Sequence, residues 1–141
     1  VAIAGFGAAA VAAVRALSEI DRIGEVRDEI ETRILEICPD AVIHSADVQR
    51  VANTTFFSVP GVKAETAQIA FDLAGVSVSA GSACSSGKVG PSHVLKAMGY
   101  SDENGALRVS IGTGTTKDDI EDFTRALSGL IARRNSATRA A

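Results

Sequence analysis

The chain has 141 residues, 46% of them hydrophobic, so it can bury one core and is most simply a single domain. Its formal net charge of -3 and its aromatic content of 4% exclude a basic, base-stacking surface for nucleic acid. Two cysteines are too few for a disulfide scaffold, and their spacing does not match a zinc site, so we expect a reducing, cytoplasmic setting.

The first 37 residues are predicted to be helical. Apolar residues recur every three or four positions from Ile3 onward, in one long amphipathic helix or in two with a break near Gly24. Pro39 ends the pattern, because the residue before a proline is pushed out of the helical region. The uncharged opening is too short for a membrane span and has no basic leader, so no membrane contact is expected. The start at Val1 suggests a fragment or a processed product.

Glycines in this opening match part of a known fingerprint. Gly5, Gly7 and Ala10 have the spacing of a dinucleotide-binding turn. That turn requires a strand before the glycines and a second strand about 20 residues later, whereas residues 20–37 have helical periodicity. The pattern therefore favours close helix packing at Gly5 and Gly7.

The rest of the chain predicts alternating short strands and helices. Strands are expected at residues 41–45, 51–59, 76–79 and 107–111, and helices at residues 63–74 and 91–98. A last helix is capped by Thr115 or Thr116, and residues 135–141 are expected to form a disordered tail. These elements predict an α+β fold, with a long N-terminal helix and further helices packed on a small, largely antiparallel sheet.

The most distinctive stretch is SAGSACSSGKVGPSHVL, residues 79–95. It places Cys84 among small side chains that offer little apolar surface for burying a sulfur atom. Such a loop suits movement, and Lys88 and the N-terminus of the following helix would favour a thiolate. From the residues alone, a reactive Cys84 and a flexible surface cysteine without a role both remain open. Cys38, at the end of an apolar stripe, is expected to be an ordinary buried thiol.

Two other chemistries were considered for this loop. A phosphate-binding loop does not fit, because five residues rather than four separate its glycines and valine follows Lys88. A Cys-His hydrolase would need His44 or His93 near the sulfur of Cys84, and the sequence leaves that arrangement open.

A family resemblance covers nearly the whole chain. SAGSACSSGKVGPSHVLKAMGY, ALRVSIG and TTKDDIEDF resemble the C-terminal small domain of pyridoxal-phosphate-dependent cysteine desulfurases, in the class V aminotransferase group with a long cysteine-bearing loop. RVANTTFFSVPGV resembles the strand segment before that loop, and AGFGAAAVAA resembles the helix that joins the two domains. The resemblance implies a small domain over residues 1–134, an interdomain helix over residues 1–37, and an absent large domain.

The resemblance also implies a function. These enzymes convert L-cysteine to L-alanine and pass the sulfur, held as a persulfide, to acceptors for iron-sulfur cluster assembly or tRNA thiolation. By this resemblance Cys84 is the nucleophile and persulfide carrier, Arg108 binds the substrate α-carboxylate, and Asn53 lies near the substrate. The implied partners are L-cysteine, the large domain of the same enzyme, a sulfur-acceptor or scaffold protein, and a second copy in a homodimer.

The cofactor implied for the complete enzyme is pyridoxal phosphate. None of Lys63, Lys88, Lys96 and Lys117 sits in a motif that matches the cofactor-binding lysine, so neither cofactor nor metal is expected on this chain. The chain alone is then expected to be inactive. The alternative is a non-catalytic sulfur-carrier or scaffold module that uses Cys84 without a cofactor.

Overall fold

The computed structural model describes residues 1–81, 92–100 and 104–140, apart from the side chains of residues 93 and 140. These residues form the α+β fold that the sequence predicts. In chain order the elements are α1 (Ala2–Ala16), a 3-10 turn (Leu17–Glu19), α2 (Ile20–Ile37), β1 (Val42–Ile43), β2 (Thr54–Ser58), α3 (Ala64–Leu73), β3 (Ser79–Ala80), α4 (His93–Ala97), β4 (Leu107–Ser110) and α5 (Lys117–Ala140).

The four strands form one antiparallel sheet in the order β1-β2-β4-β3. Thr55 pairs with Val109 and Phe57 pairs with Leu107, and all four of these side chains are buried. Because side chains alternate along a strand, this set defines an inner face of the sheet. The residues between them, which include Arg108, belong to the outer face.

The core lies between the inner face and the helices α2, α3 and α5. Its largest fully buried side chains include Phe57, Phe71, Ile34 and Leu127. The rings of Phe71 and Phe123 stack with centroids 5.3 Å apart, which joins α3 to α5. Burial of this apolar surface is the main force that holds the helices on the sheet.

Helix α1 takes no part in this core. It has no buried residue, and Ile3 and Phe6 are 91% and 79% exposed. The close packing expected at Gly5 and Gly7 is not found among the described residues, since a Cβ atom added at either position would meet nothing within 4 Å. By length and composition alone the helical stretch Ala2–Ile37 could cross a membrane, a test that core helices and signal sequences also pass.

Two other expectations were wrong in detail. The helical stretch is continuous over Ala2–Ile37, with a 3-10 turn at Leu17–Glu19, and Gly24 lies inside α2, so of the two alternatives the break near Gly24 is wrong. The tail expected over residues 135–141 is helical as far as Ala140. In this last part Ser136 and Thr138 hydrogen-bond back to carbonyls one turn earlier, while the apolar stripe that marks a packed helix has already ended.

The start of α5 confirms its expected cap. The Thr116 hydroxyl accepts a hydrogen bond from the amide of Asp119 at 3.3 Å, and the Asp119 carboxylate accepts one from the amide of Thr116 at 2.8 Å. This reciprocal pair satisfies two amides that helix geometry leaves without partners. The helix therefore begins at a defined point, at Lys117.

Candidate functional site

Arg108 lies on the outer face of the sheet, in the middle of β4. Its register partners are Phe56 on β2 and Ser79 on β3. The residues on either side of it, Leu107 and Val109, point into the core and are buried. The sheet thus holds the backbone of Arg108 rigidly and directs its half-buried side chain away from the helices.

The guanidinium of Arg108 has spare hydrogen-bonding capacity. Its Nη2 donates a long hydrogen bond of 3.4 Å to the Ser79 hydroxyl. Its Nε is buried and has no hydrogen-bond partner among the described residues. A buried donor without an acceptor costs about 1–3 kcal/mol, so this arrangement favours an anionic acceptor at Arg108. A planar guanidinium is well suited to a carboxylate.

The strand beside Arg108, β3, is followed in the chain by the segment that contains Cys84. After β3 ends at Ala80, the amide of Gly81 donates to the carbonyl of Ala106 at 3.2 Å. Gly81 has φ +64, in the left-handed region that glycine adopts at little cost. The chain turns here, three residues before Cys84, which lies outside the described residues.

Tyr100, in the described stretch of residues 92–100, also contacts the outer face of the sheet. The ring of Tyr100, just after α4, makes an edge contact with the ring of His44, with centroids 4.4 Å apart. His44 is buried, its Nε2 is 2.9 Å from the Ser58 hydroxyl, and its ring is 5.3 Å from that of Phe56. These contacts give His44 a packing role in this face. The Cys-His arrangement stays untested, because Cys84 and the side chain of His93 lie outside the described residues.

Asn53 is placed less favourably than Arg108. It is exposed just before β2, and its carbonyl accepts a hydrogen bond from the amide of Ile111 at 2.9 Å, which continues the strand register. Strand alternation assigns its side chain to the face of Thr55, opposite the face of Arg108. The structure therefore does not bring Asn53 and Arg108 together on one face.

Cys38 is a structural thiol. It is fully buried, and its Sγ donates to the carboxylate of Asp40 at 2.9 Å. Burial, assisted by this hydrogen bond, raises the pKa of Cys38 to about 11. Because the thiolate is the nucleophilic form of cysteine, Cys38 is unsuited to sulfur chemistry at neutral pH.

The described residues fit a substrate carboxylate better than a cofactor. A lysine that holds pyridoxal phosphate needs an enclosed site, and Lys63, Lys96 and Lys117 are all exposed. The described parts of the chain also contain no group of three or more metal-ligating side chains. These three lysines therefore lack the enclosed site that the cofactor needs.

Sequence reasoning missed the contact between Ser79 and Arg108. The two residues are 29 positions apart, and only the register of β3 on β4 makes them neighbours. Arg50, the first residue of the segment RVANTTFFSVPGV, is bound instead by the carboxylate of Glu31. The sequence signal for this ion pair is Glu31, a charged residue beside the apolar stripe of α2.

Comparison with known proteins shows which family of proteins the chain resembles. Residues 1–123 match the family model of aminotransferase class-V. The cysteine desulfurase NifS of Azotobacter vinelandii is 31% identical over 134 residues, which is 93% of this chain and 33% of that protein. A cysteine desulfurase of Bradyrhizobium diazoefficiens is 37% identical over 142 residues, which is 98% of this chain and 36% of that protein.

Comparison of the fold with solved structures finds relatives of the same kind. The X-ray structure of a NifS-like protein from Rickettsia africae ESF-5 matches with a TM-score of 0.79 and 33% identity, over 93% of this chain and 34% of that one. The chain thus spans about a third of the length of the relatives it matches.

Proposed function

The chain belongs to the aminotransferase class-V family, and from this premise we propose that it is the small domain of a cysteine desulfurase. The complete enzyme converts L-cysteine to L-alanine and carries the sulfur as a persulfide on Cys84. Acceptor or scaffold proteins then take the sulfur for iron-sulfur cluster assembly or tRNA thiolation. The observation that carries the proposal is the placement of Arg108, an arginine with a buried Nε lacking a described partner, beside the strand that leads to Cys84.

Arg108 binds the α-carboxylate of L-cysteine in this proposal. A carboxylate can accept two parallel hydrogen bonds from a guanidinium, which fixes both the position and the orientation of the substrate. Cys84 then attacks the substrate sulfur as a thiolate, so that an S–S bond forms while the C–S bond of the substrate breaks. The cofactor would accept the electron pair left on carbon, and protonation of that carbon would give L-alanine. Asn53 stays a candidate substrate contact, although its place in the register assigns it to the other face of the sheet.

The rest of the enzyme covers α1 and holds the cofactor. The family implies pyridoxal phosphate in the complete protein, and we assign its lysine to the large domain. The apolar side chains exposed on α1 include Ile3, Phe6 and Val14, and they form a surface that a large domain would bury. The chain alone is then inactive, and the complete enzyme acts in the cytoplasm as a homodimer.

The test uses the complete enzyme with Cys84→Ser. Serine is a far weaker nucleophile, so we expect the variant to lose persulfide formation and the release of alanine and sulfide from L-cysteine. Cys38→Ala is the matched control. It removes the other thiol and is expected to keep turnover per folded molecule. Normal alanine and persulfide production by Cys84→Ser would refute the assignment of Cys84.

A further inference from the structure

Ser79 and Arg108 face each other across the ladder that joins β3 and β4. They are register partners, both are half-buried, and the Arg108 Nη2 donates to the Ser79 hydroxyl at 3.4 Å. We propose that Ser79 is a positioning residue that orients the guanidinium of Arg108 for the substrate carboxylate. The proposal rests on the proposed function, in which Arg108 binds that carboxylate.

The chemistry of the partner distinguishes Arg108 from Arg50. The Nη1 and Nη2 atoms of Arg50 donate to the two carboxylate oxygens of Glu31, at 2.5 and 2.7 Å. The charge of Arg50 is therefore neutralised, and both of its terminal nitrogens already have an acceptor. Ser79 offers Arg108 a neutral hydroxyl, which can accept an N–H without neutralising the guanidinium. A carboxylate at position 79 would compete with the substrate, whereas a serine limits the rotation of the side chain and leaves its charge available.

Limiting that rotation matters because an arginine side chain has many rotamers. Two-pronged binding of a carboxylate requires one orientation of the guanidinium plane, and the entropy lost in fixing it opposes substrate binding. The hydroxyl of Ser79 fixes part of that orientation before the substrate arrives. Preorganisation of this kind strengthens binding more than it changes the chemical step.

The position of Ser79 also connects the two parts of the site. The chain turns at Gly81, two residues after Ser79, and continues to Cys84. The strand that orients the carboxylate-binding arginine is therefore the last described strand before Cys84 in the chain. Ser79 therefore aligns the substrate relative to the end of β3.

The experiment compares Ser79→Ala, Ser79→Thr and Ser77→Ala in the complete enzyme. Ser79→Ala is expected to raise KM for L-cysteine about three- to tenfold and to change kcat less than twofold, as for the loss of one hydrogen bond. Ser79→Thr keeps the hydroxyl and should stay near the wild-type KM. Ser77→Ala is the control, because Ser77 is an exposed serine on the same segment.

A double-mutant cycle with Arg108→Lys separates positioning from simple packing. If Ser79 acts through the guanidinium, Ser79→Ala should have almost no effect in the Arg108→Lys background. The same cycle can be measured without turnover from the dissociation constants of L-alanine, which has the same α-carboxylate as the substrate. Ser79→Cys, a poor acceptor of similar size, replaces Ser79→Ala if thermal unfolding shows that the alanine variant does not fold.

Three results would overturn the positioning role. These are an unchanged KM in Ser79→Ala, a loss confined to kcat, and an equal loss in both Arg108 backgrounds. Failure of the proposed function gives a different result, because the wild-type complete enzyme would then release no alanine from L-cysteine.

Discussion

Glu31 on α2 and Arg50 ahead of β2 form a two-pronged ion pair that is largely hidden from solvent. The two N–O distances are 2.5 and 2.7 Å, and the side chains of Arg50 and Glu31 are 17% and 12% exposed. Arg27, also on α2, donates to the carbonyl of Val51 at 3.0 Å. These contacts fasten the segment before β2 to the helix and so fix where the strand begins.

We expect Arg50→Ala to lower the free energy of unfolding by about 1–3 kcal/mol, because it leaves the buried carboxylate of Glu31 without its charged partner. Arg33→Ala is the matched control, since the pairs of Arg33 with Glu29 and Glu121 are more exposed and exposed pairs contribute about 0.2–1 kcal/mol each. Urea denaturation measures both variants. Equal losses would show that burial of the Glu31 pair has no special effect.

The same pair predicts how stability depends on pH. Burial acts to raise the pKa of Glu31, but the hydrogen bonds and charge of Arg50 outweigh it and hold the pKa below the ordinary value of 4.5. Because the folded pKa is the lower one, this stabilisation is present above pH 4.5 and is lost as the pH falls through the folded value. Below pH 4.5 the wild type should therefore lose stability more steeply than Glu31→Gln. Parallel curves would contradict the assignment.

Features set by local residues could be predicted from the sequence, and features set by register could not. The cap at Thr116, the end of α2 before Pro39 and the apolar spacing of α3 depend on neighbours within a few residues, and these helix ends lie close to the expected positions. The contact of Arg108 with Ser79 depends on how β3 aligns with β4. The sequence also does not predict the 3-10 turn before α2, because the apolar spacing of the helical region continues through that turn.

Cys38 should resist alkylation in the folded protein. Burial and the hydrogen bond to Asp40 raise its pKa to about 11, so the reactive thiolate is suppressed at pH 8. Stability linked to this thiol is present below its ordinary pKa of 9.0 and is lost as the pH rises through the folded value. Iodoacetamide labelling with peptide mapping should modify Cys84 first, and Cys38 only in urea. Faster labelling of Cys38 would contradict both assignments.

Arg108→Lys should weaken substrate binding in the complete enzyme although the charge is kept. Lysine cannot present the planar two-pronged donor, and the loss of a charged hydrogen bond costs about 1.5–3 kcal/mol, which is about tenfold or more in KM. The matched control is Arg125→Lys, because Arg125 is exposed and pairs only with an exposed aspartate among the described residues. An unchanged KM for L-cysteine would indicate that Arg108 has a structural role.

The exposed face of α1 predicts opposite effects in the isolated chain and in the complete enzyme. In the isolated chain, Ile3→Glu with Phe6→Glu should reduce self-association without lowering the free energy of unfolding, because neither side chain packs in the core. In the complete enzyme the same pair should destabilise the protein, since two charges would enter an apolar domain interface. Ala12→Glu, on the opposite side of the helix, is the control and should do neither. Sedimentation velocity measures association and thermal unfolding measures stability. If the double variant left the complete enzyme as stable as the wild type, the large domain would not cover this face of α1.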